Sequence, residues 1–278
     1  MKYRILCLFF MSVLVQGKAQ TSANEESTDN RLDSLESEAK THAFIEINGS
    51  YVSSVAYYGR TEGINQYGLS PMITGHLGKG WSLSYGGNIW SAAQPRYAFS
   101  TIGINKDFNM GASGEGTIGY SRWLSHTSDP SQKSDYTGSI DLDTHWNIGD
   151  FTLGNYASVL LGGSSAFFLE PSIDYQISNR FGRQRLFTWT INPSITATLG
   201  NDVVTRVAIK KLKNINKLRG KTTFGLLNYD AAVDATLTYR HTDLSFGYHY
   251  NIPQHTVAPN PTSPFSYVEI SLSQWFGL

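Results

Sequence analysis

Acidic side chains recur on one face of several segments in which apolar and polar residues alternate. Asp141 and Asp143 are two residues apart, and Asp230 and Asp234 are four apart. In an extended strand, either spacing places both members of a pair on the same face. Carboxylates on a wall with low-dielectric backing attract cations and polar solutes. A second interpretation stays open, in which hydrogen-bonded carboxylates form a packed polar network that conducts nothing.

The alternation assigns a larger set of side chains to this acidic face. The set comprises Glu46, Glu115, Asp141, Asp143, His145, Glu170, Asp174, Asp230, Asp234, Arg240, His249 and Glu269. Arg240, His145 and His249 are its cationic or ionisable members. We expect these residues to line a lumen, where water, hydrogen bonds or ion pairs must satisfy each charge. Asp230 and Asp234 are close enough on this reading to contact one cation.

A concentration of positive charge lies in residues 201–221. Its basic residues are Arg206, Lys210, Lys211, Lys213, Lys217, Arg219 and Lys221. Apolar residues recur between them at helical spacing. A basic amphipathic helix in a loop indicates contact with phosphorylated lipid headgroups, including those of lipopolysaccharide, or with an anionic ligand. The alternative is a solvated loop that caps the mouth of a barrel.

Evidence for an enzyme is sparse. The triplet His126-Thr127-Ser128 is similar to the His-x-Ser of outer-membrane lipid A deacylases. It falls in a polar loop that contains proline, and no acidic partner is placed beside it by register. The histidines do not have metal-ligand spacing, and no phosphate-binding glycine loop is present. We therefore predict no catalytic residue, no metal and no cofactor.

Period-two alternation between turn signals predicts twelve strands. They are 43–57, 66–77, 81–92, 97–107, 110–123, 134–148, 151–162, 166–177, 186–199, 223–239, 242–251 and 264–276. In the clearest of them, Phe167 and Ile173 fall on one face, and Glu170 and Asp174 on the other. A soluble sandwich would turn the apolar face inward, whereas a membrane barrel turns it toward lipid.

The connections between these strands alternate in length. The tight turns are 78–80, 147–150 and 240–242, and the longer connections include 124–133, 200–222 and 252–263. Outer-membrane barrels have short periplasmic turns and longer extracellular loops. The short loop at 163–165 and the longer turn at 178–185 break the rule, so ten or fourteen strands stay open. Aromatic residues near strand ends predict interfacial belts; they are Trp81, Tyr97, Trp123, Trp146, Phe187, Trp189, Tyr239, Tyr250 and Phe276.

Residues 1–19 have the pattern of a secretory signal peptide. A positive start precedes an apolar core at 5–15 and a small-x-small cleavage site at 17–19. The core is too short to span a bilayer. Cys7 lies inside it, so the mature chain would contain no cysteine and no disulfide.

The rest of the composition narrows the class. The chain has 22 basic and 22 acidic residues, and removal of the signal leaves a slight acidic excess, which does not indicate nucleic acid. After the signal no stretch approaches 18 apolar residues, which excludes a helical membrane protein. Residues 20–42 are rich in Glu, Asp and Ser and predict an acidic periplasmic leader. A short helix tucked under the barrel is the alternative for that segment.

The final strand carries the most specific pattern. Apolar residues alternate with polar ones up to the end of the chain; they are Val268, Ile270, Leu272 and Phe276. This run resembles the carboxy-terminal β-signal of outer-membrane barrels, which implies the barrel assembly machinery as a partner. The polar Gln274 on the apolar register and the trailing Gly277-Leu278 depart from that signal.

A broader resemblance covers roughly the last hundred residues. Phe224–Tyr229 and 244–253 resemble uncharacterised barrels of Bacteroidetes-type outer membranes, as does Pro-Ser-Ile at 171–173 and 193–195. The resemblance implies location and fold, and it implies no reaction.

Together these patterns predict an all-β domain at 43–278, a transmembrane antiparallel β-barrel of about twelve strands. We expect it in the outer membrane of a Gram-negative bacterium, in contact with outer-membrane lipid and lipopolysaccharide. The predicted function is porin-like passage of small polar or cationic solutes. The alternative is a non-conducting structural or surface-interaction barrel that binds anionic lipid or a ligand through its basic loop. A lipid-modifying enzyme is the least favoured reading.

Overall fold

The computed structural model describes residues 43–54, 66–92, 95–126, 136–163, 165–182, 186–201, 224–254 and 263–277. The predicted signal peptide, the acidic leader and the basic segment at 206–221 lie outside the described residues. In the part of the chain that is described, no helix is long and apolar enough to cross a bilayer.

Antiparallel β-strands make up the described chain. They are β1 Phe44–Val52, β2 Gly68–His76, β3 Trp81–Trp90, β4 Tyr97–Asn109, β5 Gly114–Ser125, β6 Tyr136–Ile148, β7 Phe151–Gly162, β8 Ala166–Tyr175, β9 Ile177–Phe181, β10 Phe187–Asn201, β11 Phe224–Tyr239, β12 Thr242–Pro253 and β13 Phe265–Gly277. The predicted boundaries shift at β1, which ends at Val52 rather than at 57, and between β4 and β5, where the turn lies at 110–113 rather than at 108–109. Gly111 has a φ of 86° there, a conformation that glycine adopts without steric penalty.

The sheet closes on itself because β13 pairs with β1. Strands β8 and β9 both pair with β10 in one continuous register, so the two occupy a single position in the barrel. Pro193 falls opposite Tyr175 at the break between them, and proline has no N–H to donate to a neighbouring strand. The prediction of a barrel of about twelve strands is confirmed, with one strand interrupted.

The strand registers fix the width of the barrel. Paired residues can be followed from β1 through each neighbouring strand until the path returns to β1. The path ends about 16 residues from where it began, which is the shear number of the barrel. For twelve strands about 4.8 Å apart, this shear sets a tilt of about 45° and a backbone radius of about 13 Å. Barrels of about eight strands are filled by side chains, and those of about sixteen hold an open channel. Here the inner side chains decide how much space remains.

The two faces of the strands differ as the alternation predicts. Large apolar side chains are exposed on one face, among them Ile195 at 59%, Leu272 at 54% and Ile47 at 49%. On the opposite face, residues from β6, β7, β8 and β11 meet in one cluster, which identifies it as the concave inner face. An apolar outer face and a polar inner face are characteristic of a transmembrane barrel.

The barrel has a tight-turn end and a long-loop end. The turns at 77–80, 110–113, 149–150 and 240–241 share the tight-turn end with the start of β1 and the end of β13. Aromatic rings stack on the outer face at this end. The ring centroid of Phe187 lies 5.4 Å from that of Phe181 and 4.6 Å from that of Tyr239. β1, β5, β10 and β12 end, and β2, β6, β11 and β13 begin, at the opposite end, which we call the long-loop end because the sequence segments that join these strands are longer.

Candidate functional site

The inner wall has an apolar zone near the long-loop end. This inner apolar cluster comprises Tyr136, Leu160, Ala166, Phe168 and Leu227, with Trp123 packed against it. Phe168 and Leu160 are each only 1% exposed. The inner wall at this end therefore carries a closely packed region lined by carbon rather than by charge.

Sequence reasoning missed this cluster, although one signal was present. Phe168 falls on the same strand face as Glu170, the face that the alternation assigns to the lumen. Gly200 stands opposite Phe168 in the register, and a Cβ at Gly200 would lie 2.5 Å from the Phe168 ring carbon Cδ1. A bulky ring that faces a glycine across a polar face indicates an inward packing site.

Trp123 is a related correction. The prediction placed it in an outer interfacial belt because it lies near a strand end. Its position in the register opposite Thr101 turns it inward instead, where its ring centroid lies 6.1 Å from that of Phe99. Phe99 in turn meets Trp90 edge-on at 5.3 Å. The three rings extend the apolar zone along the inner wall of β3, β4 and β5.

The carboxylate of Asp141 on the inner face accepts three hydrogen bonds. Tyr156 and Ser158, both on β7, donate to Oδ1 at 2.8 Å and 2.7 Å. Ser139 donates to Oδ2 at 2.6 Å. Hydrogen bonds to a charged acceptor are stronger than neutral ones. We assign Asp141 a structural role in joining β6 to β7.

Toward the tight-turn end the wall opens into a polar cavity of about 370 Å³. Side chains that line this acidic cavity are Asp143, His145, Tyr156, Glu170, Ser172 and Thr196. His145 Nε2 lies 3.0 Å from Asp143 Oδ1, and Thr198 donates to Glu170 Oε1 at 3.0 Å. The side chains of Asp143 and His145 are 42% and 40% exposed. The volume exceeds the space that one water needs by an order of magnitude, so it can hold hydrated ions or a small solute.

A second acidic site lies on β11 and β12. His249 Nδ1 lies 3.0 Å from Asp230 Oδ1, and His249 Nε2 lies 3.7 Å from Asp234 Oδ1. The imidazole stacks on Tyr267 with centroids 4.4 Å apart. A Cβ at Gly247 would lie 2.4 Å from Asp234 Oδ1, so the glycine makes room for that carboxylate. The imidazole occupies the position between the two carboxylates where the sequence predicted a shared cation.

The remaining predicted residues are spread over the inner face. Glu46 Oε2 lies 3.4 Å from His76 Nε2, and Asp174 Oδ2 accepts from Ser172 at 3.2 Å. Glu115 lies near the tight-turn end opposite His145, and Glu269 stands opposite Gly247. Among described residues, no group of three His, Cys, Asp or Glu is arranged to hold a metal ion.

Arg240 is not on the inner face, contrary to the prediction. It lies in the two-residue turn between β11 and β12 with a φ of 56°. Its guanidinium lies 5.4 Å from the ring centroid of Tyr239, which faces outward. Alternation cannot be extrapolated through such a turn, because the left-handed conformation redirects the side chain. Among the described lysines and arginines, the register places only Arg180 on the inner face, so carboxylates dominate the charge there.

Several inner oxygens are buried without a donor. They are Oδ1 of Asn192, Asn228, Asp243 and Asn251. The registers of β10, β11 and β12 place all four side chains on the inner face. An unpaired buried acceptor costs about 1–3 kcal/mol.

His126, from the predicted His-x-Ser triplet, belongs to the outer face. Its Nε2 lies 2.8 Å from Ser100 Oγ, and Ser128 lies outside the described residues. Ser100 is only 2% exposed, so its hydroxyl is not open to a substrate. Ser100 thus lacks the access that a nucleophile requires.

No family model matches this sequence, and no curated protein matches it. Three solved structures similar in fold are the NanC porin, the KdgM porin and LpxR from Salmonella typhimurium. Their sequence identities are 11%, 9% and 12%, with TM-scores of 0.46, 0.47 and 0.48. Each alignment covers 83% of this chain, and 98%, 98% and 100% of the other. The assignment of this chain to the transmembrane β-barrels rests on its own strand pairing and apolar outer face.

Proposed function

We propose that this protein is an outer-membrane channel that passes small polar or cationic solutes through its acidic lumen. The observation that carries the proposal is the acidic cavity of about 370 Å³ on the inner wall of a closed barrel. The apolar outer face fits a bilayer, and tight turns at the end that holds the start of β1 fit the periplasmic side. In this proposal the barrel lies in the outer membrane of a Gram-negative bacterium.

Charge on the inner wall supports selectivity for cations. Side-chain carboxylates inside a pore, backed by lipid, attract cations and repel anions. At an effective dielectric constant of about 20, two unit charges about 4 Å apart interact by about 4 kcal/mol. Even a fraction of that energy, screened by water in the lumen, favours a cation several-fold over an anion.

Exposed ionisable side chains support a hydrated interior. The side chains of Asp143 and His145 are 42% and 40% exposed on the inner face, so lumen water reaches both in this proposal. The inner apolar cluster then limits the size of what passes. Solutes would meet an uncharged constriction at the long-loop end and an acidic chamber below it.

The test is conductance of the refolded protein in a planar bilayer. The reversal potential across a tenfold KCl gradient should show cation selectivity, and Asp143→Asn or Glu170→Gln should reduce it. Asp141 is unsuitable for this test because three hydrogen bonds depend on it. The matched control is Asp150→Asn, which removes the same charge from the exposed β6–β7 turn. Absence of single-channel current at moderate salt would overturn the proposal in favour of a non-conducting barrel.

A further inference from the structure

A polar patch interrupts the apolar outer face at the long-loop end of β3, β4 and β5. This outer polar patch comprises Tyr85, Tyr97, Ser100, Arg122 and His126. The register places it outside: Ser100 stands opposite Leu124, which is 41% exposed, and Arg122 stands opposite Ile102, which is 46% exposed. Hydrogen-bonding groups on a lipid-facing surface are costly, so they call for a polar partner.

The patch is built to hold its aromatic and imidazole rings in place. Ser100 Oγ lies 2.8 Å from both the Tyr97 hydroxyl and His126 Nε2. The His126 ring stacks on Tyr97 with centroids 4.8 Å apart, and its backbone N–H donates to the Ala98 carbonyl at 3.0 Å. Tyr85 brings its hydroxyl to the same group of hydroxyls.

A glycine on the neighbouring strand lets the ring of Tyr97 lie flat against the barrel. A Cβ at Gly87 would lie 2.5 Å from Tyr97 Cε2. Any other residue there would push the tyrosine ring away from Ser100. The glycine therefore allows the Tyr97 ring to keep one position on the outer surface, beside Ser100.

Arg122 supplies the charge. It is exposed, and its Nη1 donates to Thr137 Oγ1 at 3.1 Å. A guanidinium has five N–H donors, and its planar fork matches phosphate oxygens. Arginine that faces lipid is costly at the bilayer midplane and costs little near a membrane interface. A position at the headgroup level, beside anionic phosphates, removes most of that penalty.

The surroundings of Arg122 favour an anion. Among described residues, the outward-facing positions of β3, β4, β5 and β6 contain no Asp or Glu. Arg96, exposed in the β3–β4 loop, adds a second guanidinium at the same end. His126 lies four residues beyond Arg122 on the same strand face, which is about 13 Å at about 3.3 Å per residue. A headgroup with more than one phosphate can meet both.

We infer that the outer polar patch binds the phosphorylated headgroup of a lipid in the outer leaflet. Arg122 pairs with a phosphate through two parallel N–H donors, as guanidinium–phosphate contacts commonly do. His126 and the tyrosine hydroxyls contact a second phosphate or the hydroxyls of a sugar headgroup. The inference rests on the proposed outer-membrane topology, which puts the long-loop end in the outer leaflet, and it is independent of conduction.

The experiment measures lipid retention in detergent by native mass spectrometry. The probe is lipid A with two phosphates, compared with the same lipid after removal of its phosphates and with phosphatidylglycerol. Wild type should retain the bisphosphorylated lipid, and Arg122→Gln should weaken that binding about tenfold, while Arg122→Lys restores part of it. His126→Gln should weaken it about threefold. Lys106→Gln is the control because Lys106 faces outward on β4 at the tight-turn end, above Trp81.

Each outcome decides the inference. Equal retention by wild type and Arg122→Gln, or equal retention of lipid with and without phosphates, would overturn it. If the patch bound inorganic phosphate at millimolar concentration but retained no lipid, it would be an adventitious anion site only, and the inference would also be overturned. The difference in electrophoretic mobility between heated and unheated samples checks that every variant is folded. The conductance of Arg122→Gln should equal that of wild type, so loss of lipid binding and loss of channel function are distinguishable.

Discussion

Removal of the Asp141 carboxylate tests the polar network inside the barrel. In Asp141→Ala the hydroxyls of Ser139, Tyr156 and Ser158 lose their shared acceptor. Ser158 is 1% exposed and Ser139 is 4% exposed, so neither can be fully solvated in the native wall. Each buried donor left unpaired costs about 1–3 kcal/mol. Because water from the lumen can reach some of them, we expect a total loss of about 3 kcal/mol.

The free energy of unfolding is measured by urea titration in lipid vesicles, with tryptophan fluorescence as the signal. Asp141→Asn keeps one acceptor oxygen and should lose about half as much as Asp141→Ala. Asp143→Ala is the matched control, because its carboxylate lies two residues away on the same face with one half-exposed histidine partner. An exposed pair of this kind contributes about 0–1 kcal/mol. If Asp141→Ala were no more destabilising than Asp143→Ala, the assigned role of the network would be wrong.

Two further variants test the lumen. Phe168→Ala should raise single-channel conductance because it removes a ring from the inner apolar cluster. The control is Phe167→Ala on the outer face of the same strand, which should leave the conductance unchanged. Equal conductance of the two variants would exclude a constriction at the cluster. His249→Ala should increase cation selectivity, measured as reversal potential, because it leaves the two β11 carboxylates without their imidazole partner. His241→Ala in the β11–β12 turn is its control, and an unchanged reversal potential in His249→Ala would place that site outside the ion path.

Much of the fold follows from period-two alternation. In β8, Phe167 and Ile173 on one face and Glu170 on the other are enough to assign lipid and lumen sides, because the pleat alternates strictly. The pattern fails where the backbone leaves that geometry. Arg240 adopts a left-handed conformation in a turn, and its guanidinium ends above the outward Tyr239 ring.

The sites depend on information that alternation does not contain. Asp141 meets Tyr156 and Ser158 only because β6 and β7 pair in one particular register, which sequence spacing does not specify. The same holds for Ser100 on β4 and His126 just after β5, which lie 26 residues apart. A face can be predicted from one strand, whereas a site requires the alignment of two or three.

The most direct test of the account is the reversal potential of the wild-type protein in a planar bilayer across a tenfold KCl gradient. An open barrel should give discrete single-channel currents. Because carboxylates line its inner wall, the sign of the reversal potential should correspond to preferred K⁺ passage. A preference for chloride, or a folded protein that carries no current, would contradict the central claim.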